Sequence, residues 1–399
     1  MNVLFSLTNL ELGGAQVFAT RLANELDALG HNVFIYDHWP EHRSKGLLAT
    51  IKPGVRVKSF SKNRLVLWLV WKLNAVFKTL HIHPQWRHSL NKKTFEQFVR
   101  ASRIEVINSH MSFSDFVVTS AKLPPGCKVV LSLHGEFEML MQGKEEKELN
   151  IERIIRAINK SSAIIYTAEK NLAAFGLPGV NQNVPKTKIN VGFSETGFTL
   201  RNVSRKHIGW SQDDFVVGMV SRGIPEKGWD ICISVINAIN KSGSGKIKLL
   251  LIGEGDSLKN LVLKANSPDI VLLQFGDDFQ DYFSYYRLMD VFLFPTRFKG
   301  ESVPNVVIES LYWGVPVIAT AIAEIPSMLL CDSQNPAGIC VPPNDNREEL
   351  ISALCHELGK FISDRSYRSR FSVNCAKAFA QFSMEDVSKR YLNVFLEPA

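Results

Sequence analysis

Two carboxylates with seven residues between them, Glu301 and Glu309 in GESVPNVVIESLYWGVPVIAT, are the residues of this chain best spaced to do chemistry. One precedes a helix start and the other lies about one turn inside it, so each can hold hydroxyl groups while the helix N–H groups between them seat a diphosphate. Arg222 and Lys227, in SRGIPEKG, are two cations that can flank the same diphosphate; an ordinary solvated loop is their other reading. His134 in SLHG ends an apolar run just ahead of Gly135 and the acidic Glu136 and Glu138, and His110 in NSHMS ends the run before it. Each histidine reads either as the wall of a site or as a hydrogen-bonded core residue. Gly13 and Gly14, in LGGAQ, make a tight strand-to-helix turn, and without GxGxxG they do not form a dinucleotide fingerprint. Glu301 also reads as a helix cap, favourable by about 0.3–1 kcal/mol. Capping leaves Glu309 unexplained.

The elements that must position these residues are legible in the hydrophobic pattern. Val291 to Pro295 and Val315 to Thr320 are continuous apolar runs, as buried parallel strands are, and a helix starting near Pro304 and stopping at Gly314 joins them. Ligands of such sheets bind at the carboxyl ends of the strands. A nucleotide-sugar, with a sugar, a diphosphate and a ribose, is the ligand that uses both carboxylates and the seat between them. Upstream, Val3 to Leu7, a helix from Ala15 to Leu29 closed by Gly30, and Asn32 to Tyr36 form a first βαβ element. Val106 to Ser109, Lys128 to Leu133 and Ala163 to Thr167 continue that sheet, and the pattern restarts at Phe215 to Val220, Lys248 to Gly253 and Ile270 to Gly276. A chain of 399 residues, 45% hydrophobic and 21% charged, suits two globular α/β domains and excludes a disordered chain. Six scattered cysteines without CxxC or CxH spacing point to reduced thiols, hence to the cytoplasm, and MNVLFSLTNLELGGAQ reads as a first strand with no basic leader.

Taken together, Glu301-SVPNVVI-Glu309, LGGAQ, SLHG, SRGIPEKG and LLLIGEG (Leu249 to Gly255) resemble, in order and separation, the motifs of glycosyltransferase family 4, from Met1 to about Leu396. The resemblance implies a GT-B fold with two Rossmann-like α/β domains facing a central cleft and a C-terminal helix crossing back to the first domain. The corresponding ranges are 1–200 for an acceptor-side domain, 201–378 for a donor domain, and 379–399 for that helix, whose amphipathic pattern lies in Phe382 to Glu397. It implies a retaining, metal-independent transferase with no cofactor, in which Glu301, His134, Lys227 and Arg222 are catalytic. Gly14, Gly276, Asp277, Ser302, Val303, Asn305, Val306 and Glu309 join Arg222 and Lys227 in holding the donor. Gly13 and His110 fall on the acceptor side. No DxD occurs in the sequence, in keeping with phosphate neutralised by Arg and Lys without a metal. A UDP-sugar is the expected donor and GDP-mannose the next, with a glycan or lipid-linked glycan of the cell envelope, such as lipopolysaccharide, as acceptor.

The chain departs from the family pattern in three places. ESVPN stands where EGFG is common, so Pro304 removes one N–H; AIAEIPSM (Ala321 to Met328) lacks the Gly-Gly pair before its proline; and Arg201 to His207 form a basic linker with no assigned role. A GT-B-fold nucleotide-sugar or glycan-binding protein without turnover is the competing class, which intact Glu301, Glu309, Arg222 and Lys227 oppose. A net charge of +7 accompanies no nucleic-acid-binding motif, so no nucleic-acid partner is expected. Residues 43–103 hold 14 Lys and Arg against one acid, Glu96. Within them Leu65 to Leu80 is apolar and aromatic but too short and too charged to cross a bilayer. Two readings stay open there: an amphipathic surface in contact with an anionic membrane at the inner face of the cell membrane, and a core helix with solvated basic flanks.

Overall fold

The computed structural model describes residues 1–60, 64–79, 86–143, 147–195, 198, 200–243, 247–265, 267–274, 279–331 and 335–397. They form two compact units, Met1–Ser194 with Met384–Ala399, and Glu195–Ser383. These divisions lie at 194/195 and 383/384, against 200/201 and 378/379 anticipated from the sequence.

In the first unit seven parallel strands, β1 (Asn2–Leu7), β2 (Asn32–Asp37), β3 (Arg56–Ser59), β4 (Val106–His110), β5 (Lys128–Leu133), β6 (Ala163–Tyr166) and β7 (Lys186–Lys188), run in the order β3-β2-β1-β4-β5-β6-β7. In the second, β8 (Phe215–Val220), β9 (Ile247–Ile252), β10 (Ile270–Leu273), β11 (Val291–Phe294), β12 (Val317–Thr320) and β13 (Gly338–Val341) run in the order β10-β9-β8-β11-β12-β13. The central strands are buried on both faces, which is why most of them read as apolar runs, while β4 carries the buried polar residues Asn108, Ser109 and His110. The edge strands β3, β7 and β13 gave no such signal; RVKS and KTK are half-exposed and polar. Each sheet has one place where the strand order reverses, between β1 and β4 in the first and between β8 and β11 in the second. Loops leaving the strands on either side of such a reversal diverge and open a crevice.

Six cysteines are free thiols, with Cys232 and Cys375 buried. The linker cation Arg205 is also buried, bonding Leu288 O, Gln212 O, Asp214 O and the Asp290 carboxylate, so its role is to pin the linker to the second sheet. The last helix, Met384–Leu396, packs on the first unit through Met384, Val387, Tyr391, Val394 and Phe395. Its Tyr391 ring lies 5.7 Å from that of Phe18 on the helix Gly14–Ala28, and Lys128 Nζ donates to Val394 O and Glu397 O at the helix end. A cation there satisfies carbonyls that have no partner within the helix. Because Tyr391 is fully buried, Tyr391→Ala should destabilise the first unit by about 3–5 kcal/mol, read as a lower denaturant midpoint.

Candidate active site

The reversal in the second sheet sets the candidate donor residues. The β8 loop carries Arg222 and turns through Pro225–Lys227, and Gly228 then adopts a left-handed conformation (φ 82) to start the helix Trp229–Lys241. A Cβ on Gly228 would lie 2.3 Å from Pro295 O, at the end of β11, so only glycine lets the two loops approach this closely. The β11 loop brings Thr296 and Glu301 back against Lys227. Lys227 Nζ donates to Glu301 Oε1 at 2.9 Å and Oε2 at 2.6 Å, and Thr296 Oγ1 donates to Oε2 at 3.0 Å. All three side chains are buried. Thr320, at the end of β12, donates its hydroxyl to Thr296 O and fixes the loop from the other side.

Burial pushes the Lys227 ammonium below its ordinary value, the Glu301 carboxylate acts in the opposite direction, and the Arg222 charge adds to the lowering. Glu301 is therefore the group that favours a protonated lysine in this pocket. Arg222 is exposed; its guanidinium lies 5.7 Å from the Phe298 ring centre, and Lys227 Nζ lies 5.0 Å from the same ring. The two cations thus share one aromatic surface, one paired inside and one open to a ligand.

The helix after Glu301 starts one residue later than the sequence suggested. Pro304 is extended (φ −71, ψ 120) and caps it, the helix is Asn305–Tyr312, and Val307 N–H already bonds Pro304 O. Its missing N–H thus lies ahead of the first turn, to which Asn305 and Val306 contribute backbone amides. Ser302 is buried, and its carbonyl accepts from Glu324 N–H at 3.3 Å. Ala323, in the loop without the glycine pair, sits at φ 52, a left-handed conformation that costs a non-glycine residue about 1–2 kcal/mol. The helix ends as expected at Gly314 (φ 71), with Gly314 N–H on Leu311 O and Val315 N–H on Ser310 O.

Glu309 differs from its expected setting. It is 2% exposed, and its two oxygens accept from Tyr282 OH at 2.8 Å and Tyr286 OH at 3.1 Å. A ribose would have to share those oxygens with two phenols. Val303 lies between Ser302 and the capping Pro304; Gly276 and Asp277 lie outside the described residues.

In the first unit the glycine turn and the histidines come together at the β1/β4 reversal. Gly13 caps the helix that Gly14 begins, and Phe18 on that helix lies about equally close to both imidazoles, 6.1 Å from His110 and 6.0 Å from His134. His110 Nδ1 is 2.9 Å from His134 Nε2, and His110 Nε2 is 2.7 Å from Asn108 Oδ1. Asn108 Nδ2 donates to Val130 O, which can only accept, so its Oδ1 must face His110. That makes His110 Nε2 the protonated nitrogen and Nδ1 an acceptor, so His134 donates from Nε2 and keeps its lone pair on Nδ1. Burial pushes His134 down to about 4, and burial reinforced by His134 pushes His110 well below 6.5; both are neutral at pH 7. Asn108 also donates to Ser132 Oγ, which contacts Tyr391 OH at 3.3 Å, tying the pair to the last helix. Glu136 and Glu138 open the helix Glu136–Gln142, Glu136 accepting from Ser112 N–H and Glu138 from Asn171. The candidate residues therefore fall into two groups, one in each unit.

Sequence reasoning missed Asn108, Ser132, Thr296, Tyr282, Tyr286 and Tyr391. The two-residue spacings Asn108/His110 and Ser132/His134 were available signals, since alternate strand residues share a face.

Two family models match the chain: Glycosyl transferases group 1 over residues 214–359 and Glycosyltransferase Family 4 over residues 12–176. Among curated proteins, the chain is 28% identical to a capsular polysaccharide biosynthesis glycosyltransferase, CapM, of Staphylococcus aureus, over 46% of this chain and 47% of that one. The chain thus spans about half the length of that relative. It is 23% identical to a GDP-mannose-dependent monoacylated alpha-(1-6)-phosphatidylinositol monomannoside mannosyltransferase of Corynebacterium glutamicum, over 69% of this chain and 71% of that one. Among solved structures, HepE of Anabaena in complex with UDP superposes with a TM-score of 0.70 at 15% identity, covering 99% of both chains. That likeness establishes the two-domain GT-B fold.

Two predictions come from these contacts. Removing one member of a buried ion pair strands the other, so Lys227→Met and Glu301→Gln should each cost about 3–5 kcal/mol, and the double variant should cost at least about 2 kcal/mol less than their sum in a denaturation cycle. For the histidines the sign follows from their lowered values: the unfolded chain takes up protons below about pH 6.5 while folded His134 stays neutral to about 4. Stability contributed by the neutral pair is complete above pH 6.5 and falls with acidification through that window. The denaturation midpoint should drop between pH 7 and pH 5, less so in His134→Asn, and nitrogen NMR at pH 7 should read His134 as the Nε2–H tautomer.

Proposed function

The chain belongs to glycosyltransferase family 4, and from that premise we propose a retaining, metal-independent hexosyltransferase that draws on a nucleotide-diphosphate sugar. UDP-sugars are the favoured donors and GDP-mannose the next, and a glycan or lipid-linked glycan of cell-envelope polysaccharide biosynthesis is the acceptor. The UDP in the HepE complex supports the first donor, the mannosyltransferase relative the second, and the capsular relative the acceptor class.

The observation that carries this reading is the Lys227–Glu301 pair beside exposed Arg222 at the reversal of the second sheet, with the helix Asn305–Tyr312 starting four residues after Glu301. As the bond from the anomeric carbon to the diphosphate breaks, negative charge grows on the phosphate and the sugar becomes oxocarbenium-like. Fixed cations and helix N–H groups stabilise that charge without reorganising. Arg222 meets the phosphate as a planar fork of donors, and Lys227 supplies a charge kept in place by Glu301. Such neutralisation by the chain's own cations leaves no step that requires a divalent ion. Glu301, anchored at both oxygens, lines the sugar side, and Glu309 with Tyr282 and Tyr286 forms the polar floor for a ribose. In the first unit His134, neutral and oriented by His110, is the polar group that meets the transferred sugar.

Because Arg222 is exposed and Lys227 buried, their replacement separates chemistry from folding. Arg222→Gln should lower kcat on the order of 100-fold with an unchanged thermal midpoint, and Lys227→Ala should lower it at least as far in the fraction that remains folded. Glu309→Gln should raise the donor KM, and chelation by EDTA should leave wild-type turnover intact. A panel of nucleotide-sugars read by thermal shift identifies the donor; wild-type turnover in both cation variants, or a large loss on chelation, would overturn the assignment.

A further inference from the structure

The helix Arg64–Thr79 turns an apolar arc outward. By helical geometry Leu65, Leu69, Lys72 and Val76 share the middle of that arc, with Trp68 and Trp71 along one side. The five apolar members are 45–63% exposed, and Lys72 is exposed as well. A surface helix of a globular protein has the reverse arrangement, apolar side inward, so the exposure removes the core-helix reading for this arc. Contiguous exposed apolar surface of this kind marks an interaction site.

We propose that this helix, with the exposed cations Lys58 and Lys93 of the same basic segment, docks the protein on the surface of an anionic phospholipid bilayer and lies within the headgroup layer. Charge selects that occupant. The 14 basic residues between 43 and 103 stand against one acid, and Lys58 on the edge strand β3 and Lys93 on the helix Trp86–Ala101, which packs on the helix Arg64–Thr79, are exposed members of that segment. Protein–protein interface cores are poor in lysine, and a second copy of this chain would set two strongly basic segments against each other. An anionic headgroup layer compensates both the charge and the apolar face. Lys72 Nζ stands 4.7 Å from the centre of the Trp68 ring, so a ring and a cation occupy one spot, as headgroup depth requires. Sixteen residues span about 24 Å as a helix, short of the roughly 30 Å hydrocarbon core, and no helix among the described residues is long and apolar enough to cross a membrane. The helix therefore lies along the surface.

The test uses the full chain and reads binding, which is independent of whether transfer occurs. Co-sedimentation with vesicles of phosphatidylglycerol and phosphatidylcholine is compared with phosphatidylcholine alone, at low and high salt. Binding should require the anionic lipid, weaken with salt, fall roughly fivefold for each of Lys58→Gln, Lys72→Gln and Lys93→Gln, and fall on the order of tenfold or more for Trp68→Ser with Trp71→Ser. If the tryptophan variant melts early, the lysine variants, which change only exposed groups, carry the result. No binding at low salt, equal binding to phosphatidylcholine alone, or indifference to the lysine substitutions overturns the proposal. So does a dimer seen by light scattering that the tryptophan substitutions dissociate, since the arc is then a self-association surface.

Discussion

The geometry at the second sheet depends on one constraint: Lys227 and Glu301 are buried, and neither charge is tolerable there without the other. Each comes from a loop on a different side of the strand-order reversal, so the pair locks two diverging loops at a fixed separation. Gly228 permits the approach, Thr296 takes a further lone pair of the carboxylate, and Thr320 fixes Thr296. Low polarity around an ion pair makes its geometry stiff, because any opening exposes an uncompensated charge to a poor solvent. The cation of that pair is therefore held stiffly, while Arg222, outside the pocket, is exposed beside the Phe298 ring.

The first unit reaches the same stiffness with no net charge. Asn108 sets the proton of His110, His110 sets that of His134, and burial keeps both rings neutral. Two neutral imidazoles in series avoid the desolvation that a charged pair demands, and the order of donors is dictated by a backbone carbonyl, Val130 O, that has no alternative role. The result is a fixed order of donors that ends on His134, at the carboxyl end of β5.

Much of this was legible in the sequence because parallel strands buried on both faces are mostly apolar runs, with the buried Asn108, Ser109 and His110 of β4 the exception, and because ligands of such sheets bind at the carboxyl ends of the strands. The Glu301/Glu309 spacing, the Arg222/Lys227 pair, His134 and the Gly314 stop could all be read that way. Edge strands could not, since β3 and β7 need only half a buried face and their residues are as polar as loops. Nor could contacts between distant segments be read: nothing in Tyr282 or Tyr286 says that their hydroxyls converge on Glu309, and Lys227 and Glu301 were separable as two ligands of a donor until folding made them partners. The exposure of the helix Arg64–Thr79 was likewise undecidable, because an apolar arc has the same sequence whether it faces a core or a bilayer.

The placement of Met384–Leu396 on the first unit has a consequence for how the chain is made. Translation delivers residues 1–194 long before Tyr391, Val394 and Phe395 exist, so a nascent first unit carries a bare patch around Phe18 and a Ser132 hydroxyl without its phenol contact. The second unit, continuous in sequence from Glu195 to Ser383, leaves the ribosome with all its parts. The unit made first is thus completed last, and the His110–His134 pair reaches its full surroundings only after the second unit has been synthesised.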